Sequence, residues 1–496
     1  MEELVWASSF ELGYQKHPPL PSWLLYPATL LFGKAVWLTF AMGFACIFVA
    51  QIFIFKLFSD IVGRSERSLP IYAPLLALLA ASPIAYYTVR GADFNHNAAQ
   101  LWSIAGLILV YYRAWVLERA QGEGVRRRLY LNWGALGLLG GLALLSKYSV
   151  LIQIAVLGLH FLWVGRWKNK DAWLGLLLAI AILAAVTWPH FHWVIEQASL
   201  GQGPLKYAED SIQSDTSRLG LFIDLLLNFG LTQIYRLTPM IVVIFLIIIL
   251  GIKKQKFSLG SSAKAQNLPL TSTTWWSALR KEDRVFLLFM SLGPVLLAFC
   301  IGTLLNIKIE SKWAVTFFLT IGSFAWMFVS REICWPRFWG WVLILHLVFA
   351  AGYGIARGPL VELSGKTSRV NYPSEALASI LFERWSENLA VTHGEPLELV
   401  VGDTWTAGNV MIHGADKGRS IKVWIDADDL ISPWIKDSDR KKTKLIVIDR
   451  TLGGEPVSPM AEKLYQSSQI KGHESITWSQ AQNAKKLEID WAIVQK

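Results

Sequence analysis

As far as residue 356 the chain alternates long apolar runs with short polar loops, and after that its pattern changes. A helix that crosses a bilayer needs ~20 predominantly apolar residues. Runs of about that length fall at 36–57, 71–89, 98–117, 130–146, 148–164, 173–188, 238–252, 285–304, 313–329 and 338–355, which predicts about ten spans. An amphipathic piece at 219–231 reads as lying in the interface. In the tail, 374–387 has helical spacing, and 397–401, 421–425, 444–448 and 489–494 are short apolar runs between turn residues, the pattern of strands. The expected fold is mostly α, a polytopic membrane helical bundle over 1–356 with a small soluble α/β domain over 357–496.

Composition supports that division. Of 496 residues 53% are hydrophobic and only 17% charged, too apolar for an ordinary soluble protein. The net charge is +10, yet residues 357–496 carry 18 basic and 19 acidic side chains, so the excess belongs to the apolar part. It gathers on alternate loops: Arg64 and Arg67, Arg119 with Arg126–Arg128, Arg166 with Lys168 and Lys170, Lys253 onward, and Arg331 with Arg337. The positive-inside rule puts these loops in the cytoplasm and the other loops, with the whole tail, outside. Such charge is orientation charge and gives no reason to expect a nucleic-acid partner. The three cysteines lie in or beside apolar runs and the histidines lack metal-ligand spacing, so neither a disulfide framework nor a metal site is expected. The opening Met-Glu-Glu is not that of a cleavable signal peptide.

The outside loops are dense in functional groups. Between Glu11 and Trp23 the chain packs Lys16, His17, three prolines and aromatic rings just ahead of the first long apolar run, with Glu2 and Glu3 upstream. Prolines fix φ, so His17 is expected in an extended, rigid segment beside Lys16, suited to an anionic lipid head. An interfacial anchor built of Lys, Tyr and Trp is the plainer reading of the same residues. Further loops hold Arg90 with Asp93-Phe94-Asn95-His96-Asn97, His190 and His192, Lys206 to Asp210, and Lys308-Ile309-Glu310-Ser311-Lys312-Trp313. Lys147 interrupts two apolar runs and is expected to pair with a lipid phosphate. In the tail Asp426, Asp428 and Asp429 read as a solvated turn after a strand, because the EF-hand glycine and distal glutamate are missing.

These motifs together resemble bacterial glycosyltransferase family 39, the membrane relatives of protein O-mannosyltransferases and lipid A aminoarabinose transferases. Gly13-Tyr14-Gln15-Lys16-His17-Pro18-Pro19-Leu20-Pro21-Ser22-Trp23 is similar to the family's GYYKHPPLxAW segment. Asp93 to Asn97 resembles its outer-loop acidic motif, Leu144 to Ser149 its LAKYS segment, and Gly402 to Val410 and Trp424 to Trp434 its outer domain. The resemblance implies a GT-C architecture in the bacterial inner membrane, the tail domain extracytoplasmic, and a sugar moved from a polyprenyl phosphate to a glycan, lipid or protein acceptor. The lipid-linked sugar is then a substrate, and no cofactor is implied. The family pattern places an Asp a few positions before a Glu in the first outer loop. Glu3 matches the second acid, and the Asp with its preceding helix would lie ahead of Met1. Such a transfer needs cations on the leaving phosphate and a carboxylate base for the acceptor hydroxyl. Lys16, His17, Lys147 and Arg90 are the candidate phosphate ligands, and Glu3 and Asp93 the candidate bases. Tyr14, Asn95, His96, Glu310 and Lys312 are the candidate acceptor or sugar ligands. A transporter or lipid flippase and a non-catalytic envelope scaffold are the alternatives. The clustering of polar residues at one membrane face, without a visible repeat, argues against the first.

Overall fold

The computed structural model describes residues 1–66, 69, 71–88, 93–212, 217–258, 274–329, 335–451, 457–478 and 484–495. Two compact units are formed, one of residues 43–349 and one joining 1–42 to 350–496.

Among the described residues seven helices are long and apolar enough to cross a membrane: Val36–Gly63, His96–Leu117, Val125–Ser146, Lys170–Ser199, Arg218–Leu246, Lys281–Leu305 and Gly340–Ser364. Three of the ten predicted spans take another form. Among the described residues of the run at 71–89 the helix is Ala73–Ala81. Pro83 has no N–H for the Leu79 carbonyl one turn back, and the Ser82 hydroxyl donates to it instead at 2.7 Å. The run at 313–329 breaks into the 3₁₀ turn Ser311–Thr316 and the short helix Ile321–Trp326. The run at 148–164 yields Val150–Trp163, which is apolar but short. Conversely, 219–231 and 238–252 join through a π turn at Leu225–Gly230 into one long rod.

Within the 43–349 unit, small residues let helices approach closely. A Cβ on Gly137 would lie 2.3 Å from the Ala179 carbonyl, and one on Gly175 would enter the Trp133 ring, the close packing that lipid-embedded helices use. The helix Leu101–Leu117 is enclosed by its neighbours, burying Ile104, Leu107, Ile108, Tyr111, Tyr112 and Trp115. At its C-terminal end the basic loops meet. Arg64 pairs with Glu282 at 2.6 Å, Arg119 reaches the same carboxylate, and Arg280 donates to the Arg64 carbonyl at 2.7 Å. Arg166 and Glu118 form a pair beside them with both side chains 3% exposed.

The other unit is built on a five-stranded sheet, β1 Leu399–Gly402, β2 Lys422–Ile425, β3 Lys444–Asp449, β4 Ile470–Thr477 and β5 Lys486–Val494, in the order β2-β1-β3-β5-β4. Strands β2, β1 and β3 run parallel, and β5 runs antiparallel to both β3 and β4. The parallel strands are continuous apolar runs because helices cover the sheet. Strand β4 has few apolar residues and lies at the sheet edge, so it gave no apolar run in the sequence. The first 42 residues join this core: Val5, Trp6 and Tyr14 are buried with Leu399, Val410 and Met411.

Candidate functional site

Three loops meet at the N-terminal end of the helix Leu101–Leu117. Asn95 caps the turn His96–Ala99, its side chain accepting from the N–H groups of Asn97 at 2.8 Å and Ala98 at 3.3 Å. Its amide donates back to the Asp93 carbonyl at 2.9 Å, which leaves the Asp93 side chain exposed at the head of the turn. The cap aims Asn97 inward, and the carbonyl oxygen of that side chain accepts a hydrogen bond from Lys147. The Asn97 amide lies 3.3 Å from His96 Nε2.

Lys147 leaves the helix Val125–Ser146 in extended geometry, φ −167° and ψ 138°, and its side chain is 7% exposed. The ammonium lies 5.1 Å from the centre of the Trp313 ring. Burial, and then the nearby Lys312 ammonium, push its pKa well below the usual lysine range, with Glu310 opposing. The third loop is the 3₁₀ turn Ser311–Thr316 that carries these residues. Arg236 holds it from the facing helix, donating to the Ser311 carbonyl at 2.7 Å and lying 4.9 Å from the Tyr86 ring. Tyr86 in turn donates to Gln233. Lys308 faces Glu310 at 3.7 Å across the loop.

The structure therefore gathers Asn95, His96, Lys147, Glu310 and Lys312, with Asp93 at the rim. Arg90 lies outside the described residues. Trp313 ends the loop that the sequence pointed to, whereas Arg236 and Tyr86 are members that the sequence did not mark. An arginine inside the apolar stretch from Leu219 was the available signal for Arg236.

Glu3, Tyr14, Lys16 and His17 belong to the other unit and are close to one another. Glu3 is 3% exposed on the short helix Glu2–Trp6 and accepts from the Ser22 hydroxyl at 2.9 Å. Burial above all, with Glu2 adding to it, pushes its carboxyl up to about 8, against the Ser22 bond. Tyr14 stacks on Trp6 at 4.7 Å and donates to the Trp6 carbonyl, so it is a core ring here. Lys16 pairs with Glu2 at 3.3 Å, and His17 lies against Trp6. The stretch expected to be extended around His17 instead bends, the Tyr14 N–H reaching the His17 carbonyl at 3.2 Å. His190, on the helix Lys170–Ser199, is buried against the Tyr148 hydroxyl at 2.7 Å.

What this arrangement resembles among known proteins is consistent. Residues 16–193 match the family model described as dolichyl-phosphate-mannose-protein mannosyltransferase, which upholds the resemblance over the stretch holding Lys16, His17, Asp93 and Lys147. A lipopolysaccharide core galacturonosyltransferase, RgtA of Rhizobium johnstonii, is 23% identical over 199 residues, 40% of this chain. That match spans 35% of the relative, about a third of its length. Crystal structures of ArnT from Cupriavidus metallidurans, in the apo state and bound to undecaprenyl phosphate, superpose with TM-scores of 0.55 and 0.53. They are 13% identical and cover 99% of this chain and 93% of theirs. The fold is thus the GT-C type, a multi-pass membrane bundle with a small sheet.

Proposed function

We propose that the protein is a glycosyltransferase of the bacterial inner membrane that moves a sugar from a polyprenyl phosphate to an acceptor on the extracytoplasmic side. The observation that carries this reading is the meeting of Lys147, Lys312 and Trp313 with Asn97, on a turn whose capping residue Asn95 bonds the carbonyl of the exposed Asp93. It is supported by the family match over 16–193 and by undecaprenyl phosphate in the ArnT structure of like fold.

In the reaction the bond from the anomeric carbon to the phosphate oxygen breaks and a bond to the acceptor oxygen forms. The acceptor proton passes to the Asp93 carboxylate, and the polyprenyl phosphate departs with the electron pair. Burial disfavours the Lys147 ammonium, and an arriving phosphate favours it, so donor binding and the charge on Lys147 support each other. A cation preplaced where charge grows on the leaving oxygen is worth more in a partly dry site than in water. Glu3, held protonated up to about pH 8, fits a group that accepts a proton only at alkaline pH.

Membranes containing the protein, given undecaprenyl-phosphate-linked radiolabelled sugar, should transfer label to endogenous envelope acceptors. Asp93→Asn should lower that turnover by ~10²–10⁴-fold, the range of a general base, with the thermal unfolding midpoint unchanged. Full turnover in the variant removes the role given to Asp93.

A further inference from the structure

A second cleft, unrelated to the loops just described, opens in the sheet-bearing unit. It has a volume of about 280 Å³ and lies at the carboxyl ends of β1, β2 and β3. The chain leaves β1 for β2 on one side, then crosses back to β3 on the other. Such a reversal between adjacent parallel strands leaves a crevice outside their carboxyl ends, where ligands bind in open α/β sheets.

The lining is specific in kind. Asp403 and Asp426 follow β1 and β2, Asp449 ends β3, and Tyr372, Trp405 and Trp478 form the aromatic side. Tyr372 meets Trp405 and Trp478 edge to face at 5.5 Å and 5.2 Å. Arg369, over the Trp405 ring at 4.8 Å, is the basic residue among the described residues of the lining. Asp403 Oδ1 accepts from the N–H groups of Trp405 and Thr406 at 2.8 and 2.9 Å, and Asp449 Oδ1 from Thr451 at 2.8 Å. Neither Oδ2 has a bond among the described residues. The Tyr372 hydroxyl is buried beside Thr406, without a hydrogen bond of ordinary geometry among the described residues. Among the described residues the carboxylates do not gather in the manner of a metal site.

We propose that this cleft binds one ring of a neutral or amino-bearing saccharide. A pyranose offers a face of C–H groups that packs on indole or phenol rings and a rim of hydroxyls that donate to carboxylate oxygens. The volume, just under the ~300–1,000 Å³ of pockets for larger ligands, suits a single ring. Among the described lining residues three carboxylates stand against one guanidinium, a balance that repels phosphate and uronate groups. The transferase reading gives the cleft its purpose, holding part of a glycan acceptor, but the site itself stands on its own residues.

The test titrates the full chain in detergent with D-glucose, D-glucosamine, D-galacturonate and inorganic phosphate, followed by ligand-observed NMR. Glucose or glucosamine should bind with a dissociation constant on the order of 1 mM, and galacturonate and phosphate at least about tenfold more weakly, a gap of one charge contact. Trp405→Ala and Asp449→Asn should each weaken the favoured sugar about tenfold or more, the loss of one good contact. Asp449→Asn keeps an acceptor for Thr451, so it remains informative if Trp405→Ala fails to fold. The proposal is overturned if neither neutral nor amino sugar binds, if galacturonate or phosphate binds as well, or if binding is unchanged in Asp449→Asn. Sugar binding without transfer from the lipid donor sinks the transferase reading alone, and transfer without sugar binding sinks the cleft alone.

Discussion

At the scale of the residue, Lys147 and Glu3 share one physical circumstance, an ionisable group withdrawn from water. Lys147 sits against Asn97 and Trp313 with little exposure. Replacing it by Met should remove the cation that meets the leaving phosphate and lower turnover ~10²–10³-fold, as for loss of one preorganised donor. Because a buried charge is itself unfavourable, thermal stability should stay level or rise. Equal losses of stability and turnover, read by a melting curve beside the transfer assay, would instead mark Lys147 as a structural group. Glu3 gives a pH signature. Its carboxyl titrates at about 8 in the folded chain against a reference of 4.5, so the folded state binds the extra proton. That contribution to stability is fully present below about pH 4.5 and disappears as pH rises through about 8. Glu3→Gln should flatten the fall, which melting curves from pH 5 to 9 would record. The sequence made both residues visible as charges beside apolar runs. It did not reveal their burial, because burial depends on which distant loop covers them.

At the scale of the element, helix ends matter more than helix faces. The enclosed helix Leu101–Leu117 has the polar loops at its start and the basic loops near its end, so the alternation of loop character in the sequence is an alternation of the two ends of one unit. Near its end Arg166 and Glu118 are buried together, and Arg166 also lies over the rings of Tyr111 and Trp133 at 4.7 and 4.9 Å. Glu118→Ala should strand the guanidinium and cost about 3–5 kcal/mol, whereas pairing Glu118→Leu with Arg166→Met should recover most of it. Chemical unfolding in detergent distinguishes the two, and equal losses would show that the pair has no special energetic part. The runs that failed to become spans were equally a matter of ends. Pro83 stops one helix, and the run after Trp313 folds into a turn held by Arg236. An apolar count over a window sees neither.

At the scale of the whole molecule, the sheet-bearing unit is discontinuous in sequence. Lys34 donates to Ser8 at 2.9 Å and also contacts Met411 and the Ile421 carbonyl, and the Lys34 N–H bonds to the Lys417 carbonyl at 2.8 Å. Residues 350–496 expressed alone should therefore expose the surface that Val5 and Trp6 cover and bind a hydrophobic dye. A fusion restoring 1–34 should abolish the dye signal, and a compact dye-free 350–496 fragment would contradict the shared core. What the sequence determined by itself is local or compositional: apolar length gave most of the membrane helices, short apolar runs between turns gave four of the five strands described, helical spacing gave the helix Ser374–Glu387, and residue types in motifs marked Asp93, His96, Lys147 and Lys312 as candidates. What only the tertiary structure decided is which of these meet. The 3₁₀ turn at Ser311–Thr316 reaches Lys147 across a long sequence separation, and the opening residues complete a core formed by the tail. Periodicity records how each segment divides its surface between apolar and polar, whereas the partner of a buried surface is fixed only when the chain closes on itself.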